Sequence, residues 1–495
     1  MERVVQCPHR WMTVGCVNGT LSRRQVLGAL LGAGTVVGLG ACTRSAAPAA
    51  NSVPVTSTGK VRDLRLRARS FDVDLAGRTV TTWGYGGTIP GAPIRVTAGD
   101  RLRIAVTNDL PVETSVHWHG LRIDNTMDGV PDLTTPAVGR GETFVYDFVV
   151  PDPGTHWFHP HSGLQLDTGL YAPLIVDDPQ EPGDYDREWI VVLDDWTDGV
   201  GPSPDDIYAA LVAEGETSQG GMGHMQMGQG AMMSGTSGDV DYPVYLINGH
   251  APEDPDVLRA KPRDRVRIRI INAGADTVFT VALADHEMQV THTDGNPVQP
   301  TSTTSLQIGM GERYDVMVTL KSGAFTLAAE AVGKSGTALA VIRTAPGRLT
   351  GGRPAELDSY PMTAESLQAA ESARVAERQP DSVLPVVLSG SMAPYVWTIN
   401  GEPYDRTKPL PVEFGEMVRL RLTNMSMMAH PVHLHGHRFQ VGSAGSSGAV
   451  KDTLLLPPMA AVDVDFLADN PGRWLLHCHN AYHMEAGMMT RLEYA

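Results

Sequence analysis

Leu102-Arg103-Ile104-Ala105-Val106-Thr107-Asn108 sets Leu102, Ile104 and Val106 at every second position and closes on an asparagine. Apolar residues with period two mark a strand with one buried face. The phrase returns twice, as Val266-Arg267-Ile268-Arg269-Ile270-Ile271-Asn272 and as Val418-Arg419-Leu420-Arg421-Leu422-Thr423-Asn424. The copies lie 164 and 152 residues apart, each behind a turn (Gly99-Asp100, Arg263-Asp264, Gly415-Glu416). Similar short runs follow at Val145 to Val149, Val316 to Leu320 and Val462 to Phe466. They are rich in β-branched residues and bounded by Gly, Pro, Asp and Asn, as in all-β sandwich proteins. An internal repeat of this length predicts three related Greek-key β-sandwich domains, at about 60–178, 186–346 and 380–495. Residues 347–380 read as a linker, with some helix near Ala364 to Glu377.

The bulk composition agrees. A chain of 495 residues with 42% hydrophobic residues can bury several cores. Its formal charge of −17 argues against a nucleic-acid partner, which requires a basic footprint. The N-terminus reads as an export signal over residues 1–41. Ser22-Arg23-Arg24-Gln25-Val26-Leu27 leads into a Gly/Ala-rich apolar run, too short for a good membrane span, that ends at Leu39-Gly40-Ala41-Cys42. The Arg pair resembles a twin-arginine signal and the end a lipoprotein cleavage box with Cys42 lipidated. Residues 43–60, rich in Ala, Ser, Thr and Pro, form a flexible tether. The expected location is the cell envelope, on the periplasmic side, held to the membrane only through Cys42, with the chain acting as a monomer. Cys7 and Cys16 lie upstream of the signal, so the folded region keeps one thiol, Cys478. An unpaired cysteine in an oxidising compartment calls for a role.

The histidines supply it. Ten of 17 fall into four clusters: His117 and His119; His159 and His161; His430, His433 and His435; and His477, His479 and His483. By composition a His-x-His pair is expected about once or less in the chain. Their placement follows the repeat. Asn108 to His117 and Asn424 to His433 are both nine residues; Gly154 to His159 and Gly472 to His477 are both five. The middle copy has Val281 and Ala328 at those places. Two outer domains, each offering two His-x-His pairs, can converge on one metal cluster, with the middle domain as a spacer. In His477-Cys478-His479 the imidazoles share one strand face and the thiol takes the other, so one tripeptide serves two metal sites. Cys478 with His430, His483 and a distant Met488 is the ligand set of an electron-transfer copper. Pro160 and Thr114 replace the cysteine and first histidine in the first domain. A structural zinc site would want four closed ligands instead. His9, His156, His224, His250, His286, His292 and His437 are read as non-ligands.

These motifs resemble the multicopper oxidases, built from three cupredoxin domains. The resemblance covers nearly all of the chain after the signal. It is nearest to the bacterial copper-resistance oxidases, whose sequences are similar at His161-Ser162-Gly163-Leu164-Gln165 and Thr168-Gly169-Leu170-Tyr171. It implies four copper ions. His430, Cys478, His483 and Met488 would hold the type 1 copper, and His117 and His433 the type 2. His119, His159, His161, His435, His477 and His479 would hold the type 3 pair. It also implies that electrons from a reduced substrate enter at the type 1 site and pass through Cys478 to dioxygen, which becomes water. Asp128, nine residues past His119, matches the acid that assists proton delivery. Met484 stands where many relatives have a glutamate, with Glu485 next to it.

The substrate reading rests on methionines. Met222, Met225, Met227, Met232 and Met233 lie in a Gly-rich insert at about 221–235, and thioethers prefer soft Cu(I). Met425, Met427 and Met428 precede His430. Met428 matches a substrate-binding methionine of similar cuprous oxidases, whereas Ser426 replaces their companion acid. Cu(I) oxidation for copper detoxification is the expected activity. A laccase acting on phenols and a copper-sequestering lipoprotein without turnover are the two alternatives, separated by oxygen uptake with Cu(I) or a phenol.

Overall fold

A computed structural model describes residues 56–181, 183–217, 238–349, 352–375, 378–442 and 447–495. The export signal with Cys42, most of the tether and the Met-rich insert therefore lie outside the described residues.

The fold is nearly all strand, in six sheets forming three sandwiches. Each repeat phrase sits in the middle of a sheet. Strands Arg101–Asn108, Arg265–Asn272 and Met417–Asn424 pair antiparallel with Thr143–Val149, Arg313–Thr319 and Ala461–Leu467. Each also pairs parallel with an earlier strand: Val61–Leu75, Arg187–Trp196 and Ser382–Met392. Leu102, Ile104 and Val106, like Val418, Leu420 and Leu422, are buried, as alternation requires.

The closing asparagine is a staple. Asn108 Nδ2 donates to the carbonyls of Val112 and Val138, and Asn272 Nδ2 to those of Thr277 and Ile308. Asn424 Nδ2 donates to Met428, Leu456 and Pro457. Each repeat thereby ties the loop after its first phrase to a second segment, satisfying buried carbonyls.

Two local elements differ from the sequence reading. An α-helix forms at Pro204–Thr217, begun by Ser203, whose Oγ accepts from the Asp206 amide. The stretch from Ala364 makes only single 3-10 turns, at Ala364–Ser366 and Glu371–Ala373. Its backbone is drawn into bridges instead: Gln299 N–H donates to Gln368 O, and Ala369 N–H to Ser447 O. These hydrogen bonds to two sandwiches outweigh the modest helix propensity of an Ala-rich run.

The outer sandwiches repeat one another in register. His117 lies opposite His159, as His433 lies opposite His477. In the middle sandwich Val281 lies opposite Ala329, one residue beyond the Ala328 that spacing alone matches.

Candidate metal centres

Ten histidines and Cys478 gather into two adjoining groups, buried except for the half-buried His161. The larger joins the first and third sandwiches. Its ring nitrogens fall into overlapping triads able to hold a metal: His117, His119 and His433; His117, His161 and His435; His119, His159 and His479; His433, His435 and His477. The smaller consists of His430, Cys478 and His483, with Sγ 3.6 Å from His430 Nδ1 and 3.7 Å from His483 Nδ1. Met488 is buried and tied to this group by backbone: Cys478 N–H donates to Met488 O, and Met488 N–H to His483 O.

Hydrogen bonds fix the tautomers. His117 Nδ1 donates to Asp128 O at 2.8 Å and His433 Nδ1 to Asp452 O at 2.9 Å. His159 Nδ1 and His477 Nδ1 donate to the carbonyls of Pro160 and Cys478, and His435 Nδ1 to the Asp128 carboxylate at 3.0 Å. A carbonyl or carboxylate oxygen accepts here, so each of these rings carries its proton on Nδ1 and turns the lone pair of Nε2 inward. Yet His433 Nε2 faces His117 Nε2 at 3.4 Å, and His435 Nε2 faces His477 Nε2 at 3.2 Å. Lone pairs turned on one another in a buried space repel unless a cation lies between them. His161 Nε2 and His479 Nδ1 are buried with no hydrogen-bond partner. The donor set therefore fits metal ions, and imidazole with one thiolate suits copper. Burial holds His159, His161, His430, His477 and His479 well below the usual histidine range, which keeps them neutral as metal binding requires.

Three further groups surround the rings. Asp128, buried, reaches both His435 and His117. Asp452 Oδ1 lies 3.1 Å from His119 Nε2, and Arg313 clamps the Asp452 carboxylate from the middle sandwich at 2.6 and 2.5 Å. Burial works against the Asp452 charge, but Arg313 holds that carboxyl well below its usual range. Asp239 Oδ2 lies 3.0 Å from His483 Nε2 and accepts from Tyr395 Oη at 2.7 Å. Burial pulls His483 down, but Asp239 raises it to about 10. The contact leaves Nδ1 turned toward Cys478, the usual carboxylate–histidine–metal arrangement.

The middle sandwich is therefore more than a spacer: it supplies Arg313 and Asp239. It also presses Gly311, at φ +83°, against the rings; a Cβ there would stand 2.8 Å from His479 and 3.1 Å from His119. Sequence reading missed Asp239, Arg313 and Asp452. Met484, in place of the expected glutamate, is buried beside His483, and Glu485 is exposed. Met428 is half-buried and packs on the core.

Sequence profiles described as multicopper oxidase match residues 68–181, 187–347 and 377–495. The multicopper oxidase MmcO of Mycobacterium tuberculosis is 47% identical over 487 residues, covering 96% of both chains. The chain belongs to the multicopper oxidase family. It is an oxidoreductase of a copper-using family, and its histidine clusters suit that metal. Copper resistance protein A of Pseudomonas syringae pv. tomato is 27% identical over 610 residues, covering 95% of this chain and 98% of that one. The crystal structure of Fet3p, a multicopper oxidase that functions in iron import, matches with a TM-score of 0.77 at 22% identity, over 88% and 90% of the two chains. That last likeness concerns the fold alone.

Proposed function

We propose that this multicopper oxidase oxidises Cu(I) at the expense of dioxygen. In this reading His430, Cys478, His483 and Met488 hold a type 1 copper, and His117 and His433 a type 2. His119, His159, His161, His435, His477 and His479 hold a type 3 pair, making four ions. The observation that carries the assignment is the set of Nε2 lone pairs facing one another at 3.2–3.4 Å. Bound copper supplies the redox chemistry: four Cu(I) become Cu(II) while one dioxygen and four protons become two waters.

The chain's own groups do the rest. Cys478 and its neighbours His477 and His479 give the two centres one covalent bridge, a single peptide unit on either side. Asp128 orients His435 and His117 and offers a buried carboxyl for moving protons. Asp452, neutralised by Arg313, fixes His119. Asp239 fixes His483.

Cu(I) is favoured as substrate by where the Met-rich insert departs and returns. In the last turn of the helix before it, Gly215 packs against the backbone at Met392 and Tyr395; a Cβ there would lie 2.6 Å from Tyr395 N. The described chain resumes at Gly238, and Asp239 next to it binds Tyr395 and His483. Met222, Met225, Met227, Met232 and Met233 are thus flanked on both sides by anchors at the Cys478 centre, and Met428 lies two residues before His430. Copper-resistance naming of a relative agrees. Export by a twin-arginine signal, lipid anchoring at Cys42 and a monomeric state complete the proposal.

Steady-state rates on Cu(I), Fe(II) and a phenolic dye test it. Cu(I) should give the highest kcat/KM; a higher value on the phenol would transfer the reading to a laccase, and no turnover on any would leave a copper-sequestering protein.

A further inference from the structure

In the outer repeats the loop after the closing asparagine leads to a histidine of the metal centres, His117 after Asn108 and His430 after Asn424. After Asn272, in the middle repeat, the same loop carries Asp276, a fully buried carboxylate. Both of its oxygens are saturated. Oδ1 accepts from Asp239 N–H at 3.1 Å and from Asn480 Nδ2. Oδ2 accepts from Val240 N–H at 2.9 Å and from Lys334 Nζ at 2.6 Å. The Lys334 side chain is 2% exposed and also donates to Asp276 O and Thr277 Oγ1.

These partners lie on both sides of one contact. Asp239, from the middle sandwich, sits 3.0 Å from His483 Nε2. Asn480, from the third, caps the turn that carries His483: its Oδ1 accepts from the amides of Tyr482 and His483. Ala481 N–H adds a further tie, donating to Ala275 O at 2.8 Å. One carboxylate therefore grips the backbone that bears Asp239 and the side chain that shapes the His483 turn. The chain passes so close that Gly238 has no room for a side chain; a Cβ there would stand 2.0 Å from Asp276 Oδ2.

Sandwich docking alone does not call for this group, because a buried ion pair seldom stabilises more than apolar residues of the same volume. What the carboxylate adds is geometry. Four donors meet oxygens that only accept, whereas an amide would turn an N–H against at least one of them.

We propose that Asp276, clamped by Lys334, is a positioning residue for the Cys478 centre: it fixes Asp239 on His483 and thereby lowers the reduction potential of the copper that His483 would hold. An imidazole whose far N–H is drawn to a carboxylate is a stronger donor, which favours the higher oxidation state of the metal. The node touches neither metal nor substrate, yet it helps to decide which reductants can give up an electron there. It rests on the type 1 assignment of the preceding section, and not on Cu(I) as the substrate.

Redox titration of the blue absorption, on the copper-loaded full chain, tests it. Asp276→Asn should keep the absorption and shift the potential upward. Gly238→Ala keeps every polar group but forces the chain away from Asp276, and should shift it the same way. Asp239→Asn should also raise the potential, and adding Asp276→Asn to it should raise it no further, since both act through one contact. An unchanged potential in Asp276→Asn overturns the proposal, even with a lowered melting temperature, which a merely structural tie would also give. Where that variant fails to fold, an unchanged potential in Gly238→Ala overturns it instead. Shifts that add in the double variant likewise contradict it. If the unaltered protein shows no blue absorption, the type 1 reading falls and this inference falls with it.

Discussion

Arg313 and Asp452 form a two-pronged buried ion pair across the middle and third sandwiches, with nitrogen–oxygen distances of 2.6 and 2.5 Å. The same carboxylate reaches His119 of the first sandwich. One contact thus locks all three repeats around the candidate metal centre. Asp452→Asn would leave Arg313 buried beside a weaker partner. Removing one partner of a buried pair costs on the order of 3–5 kcal/mol when the other charge is left uncompensated, and Asp294, 3.5 Å from Arg313, keeps the loss below that. We expect a lower melting temperature and copper content below that of the unaltered protein, measured by thermal unfolding and metal analysis. Unchanged values in both would remove Asp452 from this role.

Cys478 is fully buried, and serine nearly matches its volume. Cys478→Ser should keep the fold, as circular dichroism would report, while abolishing the blue thiolate–copper absorption. A variant that stays blue would contradict the type 1 assignment.

Asp128→Asn keeps an acceptor for His435 Nδ1 and removes the ionisable carboxyl. Turnover should fall about a hundredfold or more, the usual scale for a lost proton-transfer group. Copper content should hold. Full turnover at full copper loading would show that protons travel elsewhere.

Much of this was legible before any coordinates. Spacing from Asn108 and Asn424 to the histidines encodes the shared register, because a repeated strand–turn–strand unit keeps its distances along the chain. The helix at Pro204–Thr217 carried its signal too: Ser203 before a proline, with acids in the first turn. The outer groups around the rings were not legible. Asp239, Arg313 and Asp452 are ordinary strand or loop residues, and only the docking of three sandwiches brings Asp239 to His483, 244 residues away. The Ala364 segment misled because its hydrogen bonds are decided by two partner sandwiches and not by its own composition.

A second buried charge cluster gives a pH prediction. Asp315 accepts from Arg267 at 2.6 Å, from Arg269 at 2.9 Å and from Thr155. Burial alone would raise its pKa, but the two guanidinium groups outweigh that and hold it well below the usual carboxylate range. A depressed folded-state pKa gives stability that is present above the unfolded carboxyl value and is lost as pH falls below it. Asp315→Asn should therefore lower the melting temperature at neutral pH and flatten its decline as pH falls below about 4. Parallel curves for both proteins would refute the linkage.

Dioxygen uptake with Cu(I) as the only reductant reports both halves of the proposed reaction at once. With the fully copper-loaded protein, uptake should exceed the uncatalysed rate and consume about four Cu(I) per dioxygen, with no accumulating peroxide. A ratio near two with peroxide released, or no uptake above background, would contradict the proposed oxidase.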